Sequence, residues 1–176
     1  MNRKLLNGIW LLNVLSLTLV AGFSWVDVLL SPASGGQAIQ VTGYTTFPII
    51  SALVLLQGAS LLAAIFTPAV VAKAIAALQL PIIAWHLFVV ISSAEEAAQL
   101  AVAGEITKAT GVEGVASQAQ LVELALDNNL WYIYAALLAL NLAVLVALVF
   151  AKTPTVRAKV ETSQAQDPGE LWESQS

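Results

Sequence analysis

The sequence contains no cysteine at all, and this absence removes several classes of protein at once. Without a thiol the chain cannot form a disulfide, bind an iron-sulfur cluster or a metal through cysteine, or carry the lipid of a bacterial lipoprotein. Histidine is almost as scarce, with His86 as the single example. Because the usual ligands of metal centres are nearly missing, we expect no metal and no other cofactor.

Charged residues are also scarce, at 10% of the chain, whereas an ordinary soluble domain has about 25%. The formal net charge of −4 makes nucleic acid an improbable partner, since nucleic-acid binding needs clustered basic residues. The motifs of common soluble enzymes are absent: the chain has no His-Glu-x-x-His, no Gly-x-Ser-x-Gly and no P-loop. We therefore predict that the protein is not an enzyme.

What the chain has in abundance is apolar residues, which make up 59% of it and fall into four long blocks. Each block approaches the ~20 residues that a helix needs to cross ~30 Å of hydrocarbon. The pattern predicts an all-α membrane protein with a four-helix transmembrane bundle and the lipid bilayer as its surroundings. The first block follows a basic start and has the alternative interpretation of a cleaved signal peptide. The predicted spans are residues 5–23, 47–66, 70–91 and 130–150.

The basic residues predict the orientation of these spans. Lys108 lies on one side of the membrane, while the six other basic residues lie on the opposite side in short segments beside the spans. The positive-inside rule then predicts a bacterial plasma-membrane protein with residues 1–4, 67–69 and 151–176 in the cytoplasm. The six residues are Arg3, Lys4, Lys73, Lys152, Arg157 and Lys159.

Two extracytoplasmic segments follow from this topology. Residues 24–46 hold two β-prone runs around a turn, which predicts a small β-hairpin, with an extended loop or a longer first helix as alternatives. Residues 92–129 predict a helical lid: Ser93 and Glu96 form a capping box for a new helix, and Gly111 and Gly114 end it. A second short helix is expected from 117 to 126. Glu95 and Glu96, about 100° apart on a helix, are interpreted as solvated surface.

Few polar residues fall within the spans. His86 predicts a hydrogen bond to another helix, with a proton relay or a quinone or haem ligand as the functional alternatives. Asp27, near the end of the first span, is interpreted as an interfacial or hairpin residue. One amide per span favours interhelical hydrogen bonds over a polar pore. These amides are Asn13, Gln57, Gln79 and Asn141.

Alanines recur every four residues along the fourth span, and a step of four advances only about 40° around a helix. They form a ridge of small side chains that predicts close packing against another helix, while Asn141 points to a different neighbour. The alanines are Ala135, Ala139, Ala143, Ala147 and Ala151. Beyond them, the polar composition of the tail predicts disorder, in which Leu171 and Trp172 are a candidate docking motif.

Trp25, then Val41-Thr42-Gly43, Pro48 and Gly58-Ala59 follow one another in an order that resembles the actinobacterial tryptophan-associated transmembrane proteins, a family of small four-span proteins. Tails ending with Trp in an acidic stretch also occur in that family, as at Leu171-Trp172-Glu173. The resemblance implies a plasma-membrane protein and supplies no catalytic residues. Its extracytoplasmic motif would comprise Trp25, Thr42, Gly43 and Pro48.

These patterns together predict a non-enzymatic accessory or scaffold protein that contacts another membrane or envelope protein. The alternative is a small transporter, or a transporter subunit for an amino acid or an aromatic metabolite, that acts as a homo-oligomer. An intramembrane redox or lipid enzyme ranks third, because no second titratable group accompanies His86 within the spans.

Overall fold

A computed structural model describes residues 3–151. The chain is mostly helical and has one small sheet. Four helices are long: α1 (Arg3–Gly22), α3 (Ile49–Phe66), α4 (Ala69–Thr110) and α6 (Leu130–Phe150). Two are short, α2 (Gly43–Thr46) and α5 (Val115–Ala119), and the strands are β1 (Ser24–Leu30), β2 (Ala38–Thr42) and β3 (Val122–Asp127).

The four long helices confirm the helices predicted from the four apolar blocks. Each is long and apolar enough to cross a membrane, and α1, α3 and α6 end within two residues of the predicted spans. At 1.5 Å per residue they extend about 27 to 32 Å, which matches the thickness of the hydrocarbon layer.

These helices pack into one bundle, in which α6 contacts α1 and α4 while α3 contacts the same two helices. The buried residues of α1 recur at steps of three and four, as expected for one face of a helix. They are Leu6, Trp10, Asn13, Val14, Leu17 and Ala21. The Arg3 guanidinium donates to the backbone oxygens of Ala64 and Thr67, the latter at 2.8 Å, and so joins the start of α1 to the end of α3.

Helix α4 differs from the prediction, because it is one continuous helix of 42 residues. The new helix predicted to start at Ser93 and Glu96 is therefore wrong. Residues 82–103 contain no glycine or proline, so nothing in the backbone ends the helix there. The Ser93 hydroxyl does not cap a new helix but donates to the backbone oxygen of Val89 at 2.7 Å. The helix is about 63 Å long and projects well beyond the bundle. It ends at Gly111, whose φ of 71° is the left-handed conformation typical of a helix end, as predicted.

The sheet is three-stranded and antiparallel, in the order β2-β1-β3. Strands β1 and β2 form the predicted hairpin, with Val28 opposite Ile39. The helix predicted over 117–126 is wrong, since only Val115–Ala119 is helical and Val122–Asp127 is a strand that pairs with β1. The fold is thus not purely helical outside the bundle. Large apolar residues at 122, 124 and 126, with Glu, Ala and Asp between and after them, suit a strand, but the pairing needs β1 as its template.

The sheet packs against the second half of α4. Val28, Leu30, Ile39 and Val41 form a buried cluster with Ile106, separate from the core of the bundle. We call the sheet, α5 and residues 92–110 of α4 the head. In place of the predicted lid of separate helices, the head consists of a sheet covered by one projecting helix and a short one.

Candidate functional site

Three of the four predicted intramembrane amides form one hydrogen-bonded chain. The indole N–H of Trp10 donates to Gln57 Oε1 (2.7 Å), and Gln57 Nε2 donates to Asn141 Oδ1 (3.2 Å). Asn141 Nδ2 donates in turn to Asn13 Oδ1 (2.7 Å), and Asn13 Nδ2 ends the chain on the backbone oxygen of Leu137 (3.0 Å). The chain joins α1, α3 and α6 in the middle of the bundle. Such bonds stabilise helix association by about 0.6 to 2 kcal/mol each.

The fourth amide, Gln79, does not join this chain. Its side chain is 3% exposed, and within residues 3–151 neither of its amide atoms has a hydrogen-bond partner. Gln79 and His86 lie seven positions apart on α4, so they share a face of that helix. A void of about 10 Å³ beside Gln57 and Tyr134 is large enough for one water at most.

His86 bridges two helices in the manner expected from the sequence. It is fully buried, and its Nε2 lies 3.2 Å from the Tyr134 hydroxyl of α6. Its Nδ1 has no partner among the described residues. Residues 3–151 contain no group of three or more His, Cys, Asp or Glu side chains that could hold a metal ion.

An aromatic cluster surrounds His86 at the junction between bundle and head. The ring of Tyr134 lies 5.9 Å from the imidazole, and that of Phe47 lies 6.1 Å from it. Trp25 packs on both, at 6.2 Å from Phe47 and 5.5 Å from Tyr134. Residues of β1, α4, α6 and the connection between α2 and α3 therefore meet here. Three of the four ring pairs are edge-on, a geometry that such rings prefer, and Trp25 is tilted against Tyr134.

The four residues of the proposed extracytoplasmic motif lie together at this junction. A Cβ on Gly43 would lie 2.6 Å from Cζ2 of Trp25, so the indole occupies space that only glycine leaves open. Thr42 begins α2 with a reciprocal capping box to Thr45, and Pro48 precedes the first residue of α3. The motif thus builds the turn that places the hairpin on the bundle.

Asp27 lies in β1, on the face of the sheet that points away from α4. The Ser24 hydroxyl donates to its Oδ1 (2.7 Å) and Asn128 Nδ2 donates to its Oδ2 (2.8 Å). These two hydrogen bonds, with that of Ser24 the stronger influence, lower the pKa of Asp27 below its ordinary value of 3.8. Asp27 therefore joins β1 to the segment between β3 and α6, as a hairpin residue rather than an intramembrane acid.

The alanine ridge of α6 faces largely outward. Ala139 and Ala143 are exposed, and Ala135 and Ala147 are half-buried, whereas Asn141 is fully buried on the core side. As predicted, Asn141 faces different neighbours from those of the alanine ridge. Within residues 3–151 no helix covers Ala139 and Ala143, so the predicted close packing is not found at this part of the ridge. Leu171 and Trp172 lie outside the described residues.

A groove of about 770 Å³ lies in the head, between the sheet, α4 and α5. Its walls are mainly apolar and include Val28, Val102 and Ile106. Sequence reasoning missed the groove because α5 and β3 lie far from β1 in the chain. Glu95 and Glu96, interpreted above as solvated surface, both border it.

The opposite face of the sheet carries an exposed apolar patch. Leu29 pairs with Leu124 and Asp27 pairs with Leu126, so these side chains project from the same face. Leu29, Leu124 and Leu126 are 38%, 48% and 52% exposed. Within residues 3–151, β3 has no further strand beside it and forms an edge of the sheet. We call these three leucines the leucine face.

No protein-family model, no curated protein and no solved structure matches this chain. The resemblance to the tryptophan-associated transmembrane proteins therefore stays a prediction, based on the order of the motif residues. The geometry adds that Trp25, Thr42, Gly43 and Pro48 converge on one junction.

Proposed function

We propose that the protein is a non-enzymatic accessory or scaffold protein of the bacterial plasma membrane. Its bundle would span the bilayer with both termini in the cytoplasm, and its head would contact another membrane or envelope protein on the outer side. The four apolar helices and the six-to-one distribution of basic residues support this arrangement.

The leucine face is the observation that carries the proposal. Exposed apolar side chains that adjoin one another on a small sheet are typical of protein interaction sites. Strand β3 adds an unpaired edge, to which a partner can bind through its backbone as well as its side chains. On the proposed outer side of the membrane, water surrounds this face unless a partner covers it.

The interior of the bundle favours a packing role over permeation. The polar side chains of Trp10, Gln57, Asn141 and Asn13 are used in hydrogen bonds to one another. Polar groups that line a transport path are instead available to water or substrate. The outward alanine ridge at Ala139 and Ala143 would give a partner helix a close approach within the membrane.

The test combines site-specific crosslinking with partner recovery. A photoreactive residue at Leu124 or Leu126 should capture one protein in stoichiometric amounts in intact cells. The double variant Leu124→Ser/Leu126→Ser should lose that protein from a mild-detergent pull-down, because it removes the apolar contact. Val115→Ser is the matched control, since Val115 is 81% exposed but lies at the groove and not on the leucine face.

Three outcomes would contradict the proposal. Capture of lipid alone would place the leucine face against the membrane, and equal recovery for both variants would mean that the partner binds elsewhere. Recovery of a pure homo-oligomer that moves a labelled amino acid across vesicles would favour the transporter alternative.

A further inference from the structure

We propose that the groove of the head binds a small organic cation with an apolar body, such as an alkyl or aryl amine. This site lies on the side of the sheet opposite the leucine face, so it is independent of the partner contact proposed above.

The size and lining of the groove are those of a small-molecule site. Its volume of about 770 Å³ falls within the roughly 300 to 1,000 Å³ of typical ligand pockets. Its walls come from three elements, with Val28 from the sheet, Val102 and Ile106 from α4 and Ala119 from α5. Leu100 and Val115 at the rim are 68% and 81% exposed, so apolar surface remains uncovered around the opening.

The charged groups of the groove gather at one end, which we call the polar end. Glu95 and Glu96 belong to the part of α4 nearest the bundle, and Asp127 ends β3 beside α6. The far end, near Ile106 and Val122, carries no charged residue, and the amide nitrogen of Gln118 there is used in hydrogen bonds to α4. A ligand that suits both ends has a charged group on the bundle side and an apolar body along α4.

The charge at the polar end is negative and is not neutralised within the head. None of the described residues that line the groove is basic. Lys108, the basic residue of the head, forms a salt bridge with Glu105, which does not line the groove. The carboxylates of Glu95 and Glu96 therefore face solvent with their charge available to a cation.

One tryptophan completes the polar end. Trp131 lines the groove, is half-buried and stacks on Tyr132 with 3.6 Å between ring centres, whereas the neighbouring Trp25 is almost fully buried. An ammonium group is attracted to the face of an indole, and nearby carboxylates strengthen the preference for a cation. Carboxylates and an indole at one end of a mainly apolar groove thus select both the sign of the charge and its position.

The probe for the test is dansylcadaverine, an amine whose aromatic body becomes brighter in apolar surroundings. Its acetylated analogue has the same body without the positive charge. Both are titrated against the full-length protein in nanodiscs of zwitterionic lipid, with empty nanodiscs as the background. Energy transfer from the tryptophans of the protein to the dansyl group reports that the probe is bound to the protein.

We expect saturable binding of the amine and about tenfold weaker binding of the acetylated analogue, since several carboxylate contacts add up. The variant Glu95→Gln/Glu96→Gln should weaken binding of the amine about fivefold, as should ~0.5 M salt. The variant Glu113→Gln/Glu123→Gln removes the same amount of charge from residues that do not line the groove and should leave binding unchanged. Ala98→Trp, which fills the groove, should abolish the binding.

Several results would overturn the inference. Equal binding of the amine and its acetylated analogue to the wild-type protein would refute it without any variant. Binding that survives Ala98→Trp in a folded protein would place the site elsewhere. A signal no greater than that of empty nanodiscs would also refute it. So would saturation by a peptide of alternating lysine and leucine but not by the amine, which would identify a protein segment as the occupant.

Discussion

Replacing Gly43 by alanine tests the junction between bundle and head directly. The added Cβ would lie 2.6 Å from Cζ2 and 2.7 Å from Cε2 of Trp25, with the backbone Cα of Ala21 at 3.0 Å. Carbon atoms pack at about 3.5 to 4.0 Å, so either the indole or the backbone must move by roughly 1 Å.

The indole has little freedom to move. Trp25 is 1% exposed, lies between the rings of Phe47 and Tyr134, and donates its N–H to the oxygen of Val20 at 3.0 Å. Overpacking of such a site costs about 1 to 3 kcal/mol of the free energy of unfolding. Gly43→Ala should therefore lower the temperature at which the protein remains monodisperse after heating in detergent.

Gly104→Ala is the matched control. It adds the same methyl group within α4, where no atom lies within 4 Å of the new Cβ, and helix propensity favours alanine by about 0.5 to 1 kcal/mol. The double variant Gly43→Ala/Trp25→Leu should lose less stability than the two single changes summed, because the clashing ring is gone. Equal stability of Gly43→Ala and Gly104→Ala would refute the reasoning.

Three further predictions concern the bundle, the sheet and the topology. Asn141→Leu should cost about 1 to 3 kcal/mol of unfolding free energy, since the buried amides of Gln57 and Asn13 lose their partner. Thermal stability in detergent measures this loss, with Leu140→Ile at an exposed position as the control. Asp27→Asn should lower stability at pH 7, because a carboxylate whose pKa is lowered by folding stabilises the fold at any pH above the ordinary pKa of 3.8. The difference in stability between wild type and variant should vanish as the pH falls through the lower pKa of the folded state. A reporter that is active only outside the membrane should work when fused after Gly111 and fail when fused after Ala72.

Each of these has an outcome that would contradict it. If Asn141→Leu matches its control in stability, the amide chain contributes nothing to the bundle. A stability difference for Asp27→Asn that is unchanged between pH 7 and pH 3 would mean that the charge of the carboxylate plays no part. An inactive fusion at Gly111 would overturn the proposed orientation of the head.

The sequence alone was sufficient for the features that depend on local composition. The four apolar blocks predicted all four long helices, since crossing hydrocarbon requires only enough consecutive apolar residues. The β-prone runs around Pro32 predicted the hairpin, whose strands are neighbours in the chain. The single amides predicted interhelical hydrogen bonds, which three of the four form, because an amide in an apolar helix has few other partners, while Gln79 forms none within residues 3–151.

Tertiary structure decided what depends on residues far apart in the chain. Strand β3 forms because β1, about 100 residues earlier, offers a backbone edge, as in the pairing of Val26 with Asp127. The groove forms only where the sheet, α4 and α5 come together, so the sequence did not show that Glu95 and Glu96 border a common site. Helical spacing places Ala139 and Ala143 on one face, but only packing of α1 and α4 against α6 makes that face the outer one. Local preference selects a helix, whereas the contacts of its faces are set by the whole fold.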